Sequence, residues 1–352
     1  MTLKDFDYYL PRRLIAQHPL PERGLSRLLV LKRQTATWEH RGFQDLPQYL
    51  GSGDVLVVND TKVRPARLLG EKKTGGRVEI LLVQRRGNPA SQLPTQEWDC
   101  LVKGLGRLRD SVPVFFAEGL QGEITLRQAN GLWVLRFPDL EGTEELLRRI
   151  GFAPLPPYIR RNGDRKMRGV DLERYQTIFA CKEGAIAAPT AGLHFEAGLL
   201  DKIQAQGTAF VPLTLHVGLG TFLPVKTEDP RKHRLKQEFF ALAAETAAAI
   251  NQARRAGGQV FAVGTTVTRA LETCADERGR VRAQSGETEL FILPGHRFRT
   301  VDHLITNFHL PRSTLLMLVS AFAGRELILA AYEEAVKENY RFYSYGDAML
   351  IL

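Results

Sequence analysis

Six short stretches of this sequence gather hydroxyl, imidazole, carboxylate and glycine residues where a ligand could reach them. VVNDTKVRPAR (57–67) ends an apolar run with Asn59, Asp60, Thr61 and Lys62 and continues to Arg64. A carboxylate, a hydroxyl and two cations at a strand end suit a polar small molecule, and the same spacing suits an Asn-Asp turn capped by its own side chains. AAPTAGLHF (187–195) projects Thr190 and His194 from a loop tightened by Pro189 and Gly192; a lone loop histidine serves structure as readily as proton transfer. LHVGLGTF (215–222) offers His216, with Gly218 and Gly220 leaving backbone amides open to close approach. In AVGTTVTRALE (262–272), Gly264 precedes a helix opening at Thr265 and Thr266. Free amides and the positive end of the helix dipole suit a carboxylate there, and an ordinary Thr N-cap would read the same way. LITNFHLPRSTL (304–315) sets Asn307 and His309 between a strand and a helix. YRFYSYGDAM (340–349) places Tyr340, Tyr343 and Tyr345 near Gly346 and Asp347. Such rings can stack on a base or a cation, or dock into the core.

These loops act together only if regular elements bring them to one place. From Ser26 to Asn59 short strands alternate with a helical stretch at Gln44 to Leu50. From about Pro65 to Leu155 the pattern is all short strands (PARLLGEK, GGRVEILLVQRR, EWDCLVKG, VPVFF, GEITLRQ, GLWVLRF) with partial period-2 alternation, as in a small barrel or sandwich. Gly75-Gly76 and Asn130-Gly131 are hairpin turns, and a helix from Glu141 to Ile150 closes the section. After Tyr158 the pattern is α/β: helices in EAGLLDKIQAQG, FALAAETAAAINQARRAGG, TTVTRALETCADERG, STLLMLVSAFAG and ELILAAYEEAVKENY, and strands in TAFVPLTLHV, QVFAVG, ETELFILPG and VDHLITNF. The expected architecture is a mixed α/β/α main domain, residues 1–64 and 156–352, interrupted by an inserted small all-β barrel over 65–155. Loops clustered at the strand ends of such a main domain make an enzyme cleft.

Composition narrows the field. Apolar residues make up 44% of the 352 and charged residues 25%, which is ordinary globular usage. The longest apolar run, near Leu315 to Ala323, is too short to span a bilayer, and the first residues lack a secretory pattern. Three distant cysteines, Cys100, Cys181 and Cys274, fit a reducing cytoplasm. No GxGxxG follows a strand, P-loop, HExxH and GxSxG motifs are absent, and no His, Cys and carboxylate spacing calls for a metal. The 48 Lys and Arg against 39 Asp and Glu give a net charge of +9, a footprint for a polyanion. Arg160, Arg161, Arg165, Lys166 and Arg168 form the densest cluster; others hold Arg231 to Lys236 and Arg278 to Arg299. A nucleic-acid partner is expected, with no membrane.

The chain resembles the S-adenosylmethionine:tRNA ribosyltransferase-isomerases of queuosine biosynthesis. The matching stretches are FDYYLPRRLIAQHPLPERGLSRLLVL (6–31), VVNDTKVRPAR, ERYQTIFA (173–180), AAPTAGLHF, LHVGLGTF, AVGTTVTRALE, LITNFHLPRSTLLMLVSAFAG (304–324) and YRFYSYGDAMLI (340–351), in order over nearly the full length. The resemblance implies an α/β domain with an inserted small β-barrel. It also implies transfer and isomerisation of the ribosyl group of S-adenosylmethionine onto the aminomethyl side chain of a 7-deazaguanine at the tRNA wobble position. Epoxyqueuosine-tRNA, adenine and methionine are the products. S-adenosylmethionine is then a co-substrate, with no bound cofactor. The family pattern His-x-Met-His-x-Glu reads here His233, Arg234, Leu235, Lys236, Gln237, Glu238, so the second histidine is a lysine, and Val267 stands where a serine often follows the GTT.

The chemistry needs at least two proton-transfer groups, because the 5′ C–H beside a sulfonium is acidic, adenine leaves protonated or hydrogen-bonded, and an ammonium must lose a proton to attack. His194 or His216 is the expected base, and Asp60 or Glu238 the partner of the sulfonium or of an acidic proton, with His233 a further candidate. Substrate contacts are expected from Asn59, Thr61, Lys62, Arg64, Thr190, Gly192, Gly218, Gly220 and Thr221, and from Asn307, His309, Tyr343 and Asp347. The opening of the helix at Gly264, Thr265 and Thr266 is expected to seat the methionine carboxylate. The arginine cluster from Arg160 to Arg168 is expected to hold tRNA phosphates, and the protein to be a monomer. A non-catalytic RNA-binding protein would explain the charge but not so many polar strand-end loops. A tRNA methyltransferase would want a glycine-rich first loop that is missing.

Overall fold

Runs of Val, Leu and Ile that are buried on both sides build the central sheet of this computed structural model. The structure describes all residues except 88–94, 107–110, 129–130, 139–141, 162–164, 219, 221–224 and 226, and the side chains of 126, 127 and 165. In chain order the first elements are β1 (Arg27–Lys32), β2 (Thr37–Gly42), β3 (Val55–Asn59), β4 (Thr61–Val63), β5 (Arg67–Lys72), β6 (Arg77–Arg85), β7 (Thr95–Lys103), β8 (Val112–Phe115), β9 (Gln121–Arg127), β10 (Trp133–Pro138) and α1 (Thr143–Ile150). Then come α2 (Arg168–Arg174), β11 (Lys182–Ala185), α3 (Ala197–Ala205), β12 (Ala209–Leu215), β13 (Glu238–Leu242), α4 (Ala244–Arg255), β14 (Val260–Val263), α5 (Thr265–Cys274), β15 (Gln284–Thr288), β16 (His303–Asn307), α6 (Thr314–Ala323), α7 (Arg325–Lys337) and β17 (Ala348–Ile351).

Nine strands form a mixed sheet in the order β15-β13-β12-β3-β14-β16-β17-β1-β2. Its centre, β12-β3-β14-β16, is parallel, as is the β17-β1 pair, while β13, β15 and β2 are antiparallel edges. Alternation explains the layers. Leu28, Val30, Leu56, Val58, Phe261, Val263, Ile305 and Leu350 point to one face, where Phe43, Phe195, Leu199 and Ile203 from a short 3-10 segment, a loop and α3 cover them. Their neighbours Leu29, Val55, Val57, Ala262, Leu304 and Met349 are equally buried on the other face, and α4 and α5 pack against strands β3, β12 and β14. A sheet buried on both sides reads as continuous apolar runs, and those runs are what the sequence has.

A closed six-stranded barrel, β10-β7-β6-β5-β8-β9, interrupts this α/β/α domain. It is antiparallel throughout, and Gly75, with φ +82°, turns β5 into β6. The expected hairpin at Gly131 joins β9 to β10; its Asn130 lies outside the described residues. By contacts the chain divides into two compact units. One is Met1–Lys62, Pro156–Arg161 and Arg174–Leu352; the other is Val63–Leu155 and Asn162–Glu173.

Three local readings are corrected. Phe240 to Leu242, expected to begin a helix, lie in β13, and α4 starts only at Ala244. The strand expected at ETELFILPG is shifted back to Gln284–Thr288, where it pairs along β13. The C-terminal AMLI, not expected as a strand, is β17 between β16 and β1.

Candidate active site

The four central strands β12, β3, β14 and β16 run toward one edge of the sheet, opposite to β17 and β1, and the loops that leave β14 and β16 there open a cleft of about 450 Å³. That volume is in the range of small-molecule sites. The cleft is lined by Thr190 of the AAPTA loop, by Gly264, Thr265 and Thr266, by Thr306, Asn307 and His309, and by Tyr343, with Tyr158, Tyr175 and Val217. Five of the six polar stretches therefore meet in it, LHVGLGTF through Val217 alone. Two helices begin at its wall, α5 after Gly264 and α6 after Ser313, whose hydroxyl accepts from the Leu316 amide at 3.1 Å. Gly264 has φ +96°, a conformation that favours glycine and turns β14 straight into α5. Among the described lining residues the ionisable side chains other than tyrosines are His309 and Arg312, and none is a carboxylate. No group of three or more His, Cys, Asp or Glu among the described residues could hold a metal.

Asn307 organises the wall. Its Nδ2 donates to the Tyr343 carbonyl at 3.0 Å, which fixes the amide, and the same nitrogen is 3.1 Å from His194 Nε2. His194 Nε2 must then be the acceptor, so its proton is on Nδ1 and goes to Ser26 Oγ at 2.8 Å, which in turn donates to the Arg23 carbonyl at 3.2 Å. Burial, with Arg23 and Arg341 nearby, pushes His194 down to about 3. The ring is a neutral strut behind the wall with both nitrogens engaged, a different position from that of a free base. Asn307 Oδ1 and the Tyr343 hydroxyl, both on lining residues, are buried without a hydrogen-bond partner among the described residues. Tyr343 has φ +74° and packs against Tyr158 with ring centres 4.3 Å apart and the rings tilted by 42°. Backbone strain of this kind costs on the order of 1–3 kcal/mol and holds only where surrounding contacts enforce it.

Other expected site residues form the frame around the cleft. Asn59 ties the ends of β3 and β12, its Oδ1 accepting from the Leu215 and Thr61 amides and its Nδ2 donating to the Leu215 carbonyl. Asp60 accepts from Thr214 at 2.6 Å and from the Cys181 thiol at 3.3 Å. Thr61 Oγ1 lies 2.7 Å from His216 Nδ1, and the His216 ring stacks on Phe239 and lies against Gly184, where a Cβ would come within 2.5 Å of it. Glu238 is buried in an ion pair with Arg269 of α5 and accepts from the Gly218 amide at 2.8 Å. Asp347 accepts from the Arg27 and Arg341 amides, and Gly192 is packed against Thr177 and Phe179. Lys62 is exposed, 4.0 Å from Glu183. Gly220 lines a small crevice with Lys236 and Glu238, and His233 sits edge-on to Phe291. Arg64 belongs to the barrel unit, over the Trp98 ring. Thr221 lies outside the described residues.

The arginine cluster divides by exposure. Arg160 and Lys166 are exposed. Arg161 is buried, donating to the Gln17 carbonyl at 2.8 Å, and Arg168 donates to the Gly151 carbonyl at 2.9 Å and to that of Arg149, at the end of α1. Both guanidiniums are held by backbone carbonyls. The side chain of Arg165 lies outside the described residues. Reading the sequence missed Arg269, Ser26 and Thr306. Each lies inside or beside a stretch that was noticed, but an arginine in mid-helix or a serine before a strand carries no spacing signal.

A polar strand-end cleft on an α/β/α sheet, with a barrel inserted in the chain, is the arrangement of an α/β enzyme with an inserted barrel domain. Comparison with known proteins is specific. The family model described as "Queuosine biosynthesis protein" matches residues 3–351. Proteins named S-adenosylmethionine:tRNA ribosyltransferase-isomerase from Pelotomaculum thermopropionicum and Geotalea uraniireducens are 52% and 49% identical, over 100% of this chain and of theirs. A crystal structure of the S-adenosylmethionine tRNA ribosyltransferase from Thermotoga maritima is 36% identical, with TM-score 0.56, covering 99% of this chain and 100% of that one. The chain belongs to the S-adenosylmethionine:tRNA ribosyltransferase-isomerase family of queuosine biosynthesis. No single helix among the described residues is long and apolar enough to cross a membrane.

Proposed function

We propose that this chain transfers and isomerises the ribosyl group of S-adenosylmethionine onto 7-aminomethyl-7-deazaguanine at the wobble position of tRNA, releasing adenine and methionine and leaving epoxyqueuosine in the tRNA. The observation that carries the reading is convergence. Six of the eight stretches that carry the family resemblance, far apart in the chain, meet in one cleft of about 450 Å³. Its features suit the donor. The first amides of α5 have no partners within the helix and face the cleft from the positive end of its dipole, a seat for the methionine carboxylate. The faces of Tyr158 and Tyr343 favour a cation such as the sulfonium.

Asp60, Glu238 and His216 act on the reaction by holding the loops, since none of them lines the cleft. The exposed Arg160 and Lys166 supply phosphate contacts. The protein works as a cytoplasmic monomer, a reading supported by its cysteine content and ordinary globular composition. Purified protein incubated with S-adenosylmethionine and tRNA bearing the aminomethyl base should release adenine and methionine in step with epoxyqueuosine, read by mass analysis of small molecules and digested nucleosides. S-adenosylhomocysteine in place of adenine, or intact S-adenosylmethionine beside bound tRNA, would refute it.

A further inference from the structure

The cleft holds one imidazole whose two nitrogens are unequal. His309 Nε2 lies 2.8 Å from Thr306 Oγ1, and that hydroxyl donates to the Asn307 carbonyl at 3.3 Å. With the Thr306 hydroxyl proton assigned to that carbonyl, which only accepts, the proton between Thr306 and His309 belongs to the imidazole. His309 is therefore the Nε2–H tautomer, and its Nδ1 keeps a lone pair that no described residue engages. The backbone is held too: the His309 amide donates to the Tyr332 hydroxyl at 3.0 Å and its carbonyl accepts from the Tyr8 hydroxyl. The residue is 8% exposed and lines the cleft. Burial pushes its pKa down to about 3, so the ring is uncharged and able to accept at neutral pH. His194, by contrast, has both nitrogens occupied.

We propose that His309 is the proton acceptor of this cleft, its Nδ1 taking the proton that the tRNA amine sheds as its nitrogen bonds to the ribosyl group, with Thr306 as a positioning residue. The inference rests on the reaction proposed above. The amine lone pair makes the new C–N bond and the nitrogen becomes positive. One N–H proton then passes to Nδ1, and its bonding pair returns to nitrogen. The bond from the ribosyl group to adenine breaks with its pair on adenine, which takes the proton from the imidazolium and departs neutral; the sulfonium stays on the transferred group until the isomerisation breaks its carbon–sulfur bond, the pair leaving on the sulfur of methionine. A substrate carboxylate at the start of α5, in the same cleft, raises the ring's affinity for the proton in transit.

The test follows adenine release in a single turnover alongside the affinity for S-adenosylmethionine. His309→Ala should slow release by about 10²- to 10⁴-fold, leave donor affinity unchanged, and regain part of the rate when imidazole is added. Thr306→Val, which keeps the shape but removes the acceptor that sets the tautomer, should slow release by about tenfold or more with the fold intact by thermal unfolding. His309→Gln provides a second reading should the alanine variant fail to fold. Any folded His309 variant that turns over at the wild-type rate overturns the assignment. So does a loss of donor affinity as large as the loss of rate, which would make His309 a binding residue. Wild-type protein that releases no adenine overturns the reaction, and this assignment with it.

Discussion

Asn307 is where the cleft's lining joins its frame. One amide nitrogen holds both the Tyr343 carbonyl and His194, so the orientation of a lining residue decides the tautomer of a buried one. His194 and His309 are both buried neutral, each pushed to about 3 from an ordinary value of 6.5. A histidine with a depressed folded pKa binds fewer protons folded than unfolded at any pH between the two values. Stability therefore rises with pH through that window and is lost as pH falls below about 6.5. His303 and His233, also lowered by burial, act in the same direction. Between pH 7 and 5, above the range where most carboxylates titrate, His194 and His309 should each cost on the order of 2 kcal/mol. Urea unfolding at pH 7, 6 and 5 measures this. A midpoint that does not move over that interval would mean that the two rings take up protons without unfolding, contrary to their burial.

At the scale of elements, α5 and β13 are joined by the buried pair of Arg269 and Glu238, and the same carboxylate holds the Gly218 amide of the loop after β12. Arg269 also donates to the Leu290 carbonyl at 2.8 Å. Removing one partner strands a buried charge, so Arg269→Met or Glu238→Leu alone should destabilise the fold by about 3–5 kcal/mol, whereas the double variant, with both charges gone, should recover most of that loss. A cycle of denaturant midpoints decides it, and additive losses in the double variant would contradict the pairing. Neither residue announces itself in the sequence. Arg269 falls in a helix legible from its apolar spacing, and Glu238 stands at the start of a strand that an alanine-rich run disguised as the beginning of α4. The barrel strands and the helices from α3 to α7 were readable because alternation or helical spacing persisted over enough residues. Two edges of that reading failed for physical reasons. β15 is mostly exposed and polar, so it is defined by its pairing with β13 and not by a buried face. β17 is four residues buried on every side, too short and too uniformly apolar to show a period. The site was legible as loops but not as roles, because which side chain faces the cleft depends on partners far away in the chain. Asn59, Asp60 and His216 were chosen for chemistry that their own hydrogen bonds turn to holding strand ends together.

For the whole molecule, the net charge of +9 gives attraction to tRNA, but attraction is not spread evenly over the basic residues that produce it. A cation contributes to counterion release only if it can reach a phosphate without abandoning a bond inside the protein. By that criterion the run from 160 to 168 separates into two kinds. Arg160 is exposed, while Arg161 and Arg168 donate to backbone carbonyls. Arg160→Ala should therefore reduce the steepness of log Kd against log salt by up to about one, with little change in thermal stability. Arg161→Ala should do the reverse: its carbonyl partners lose a charged donor, so stability falls by about 1–3 kcal/mol while the salt slope holds. Titrations of tRNA at three or four salt concentrations, run beside thermal melts, separate the two behaviours. A slope unchanged in Arg160→Ala would move the phosphate contacts to the other basic clusters, around Arg231 to Lys236 or Arg278 to Arg299, and the same pair of measurements on those residues would then locate them.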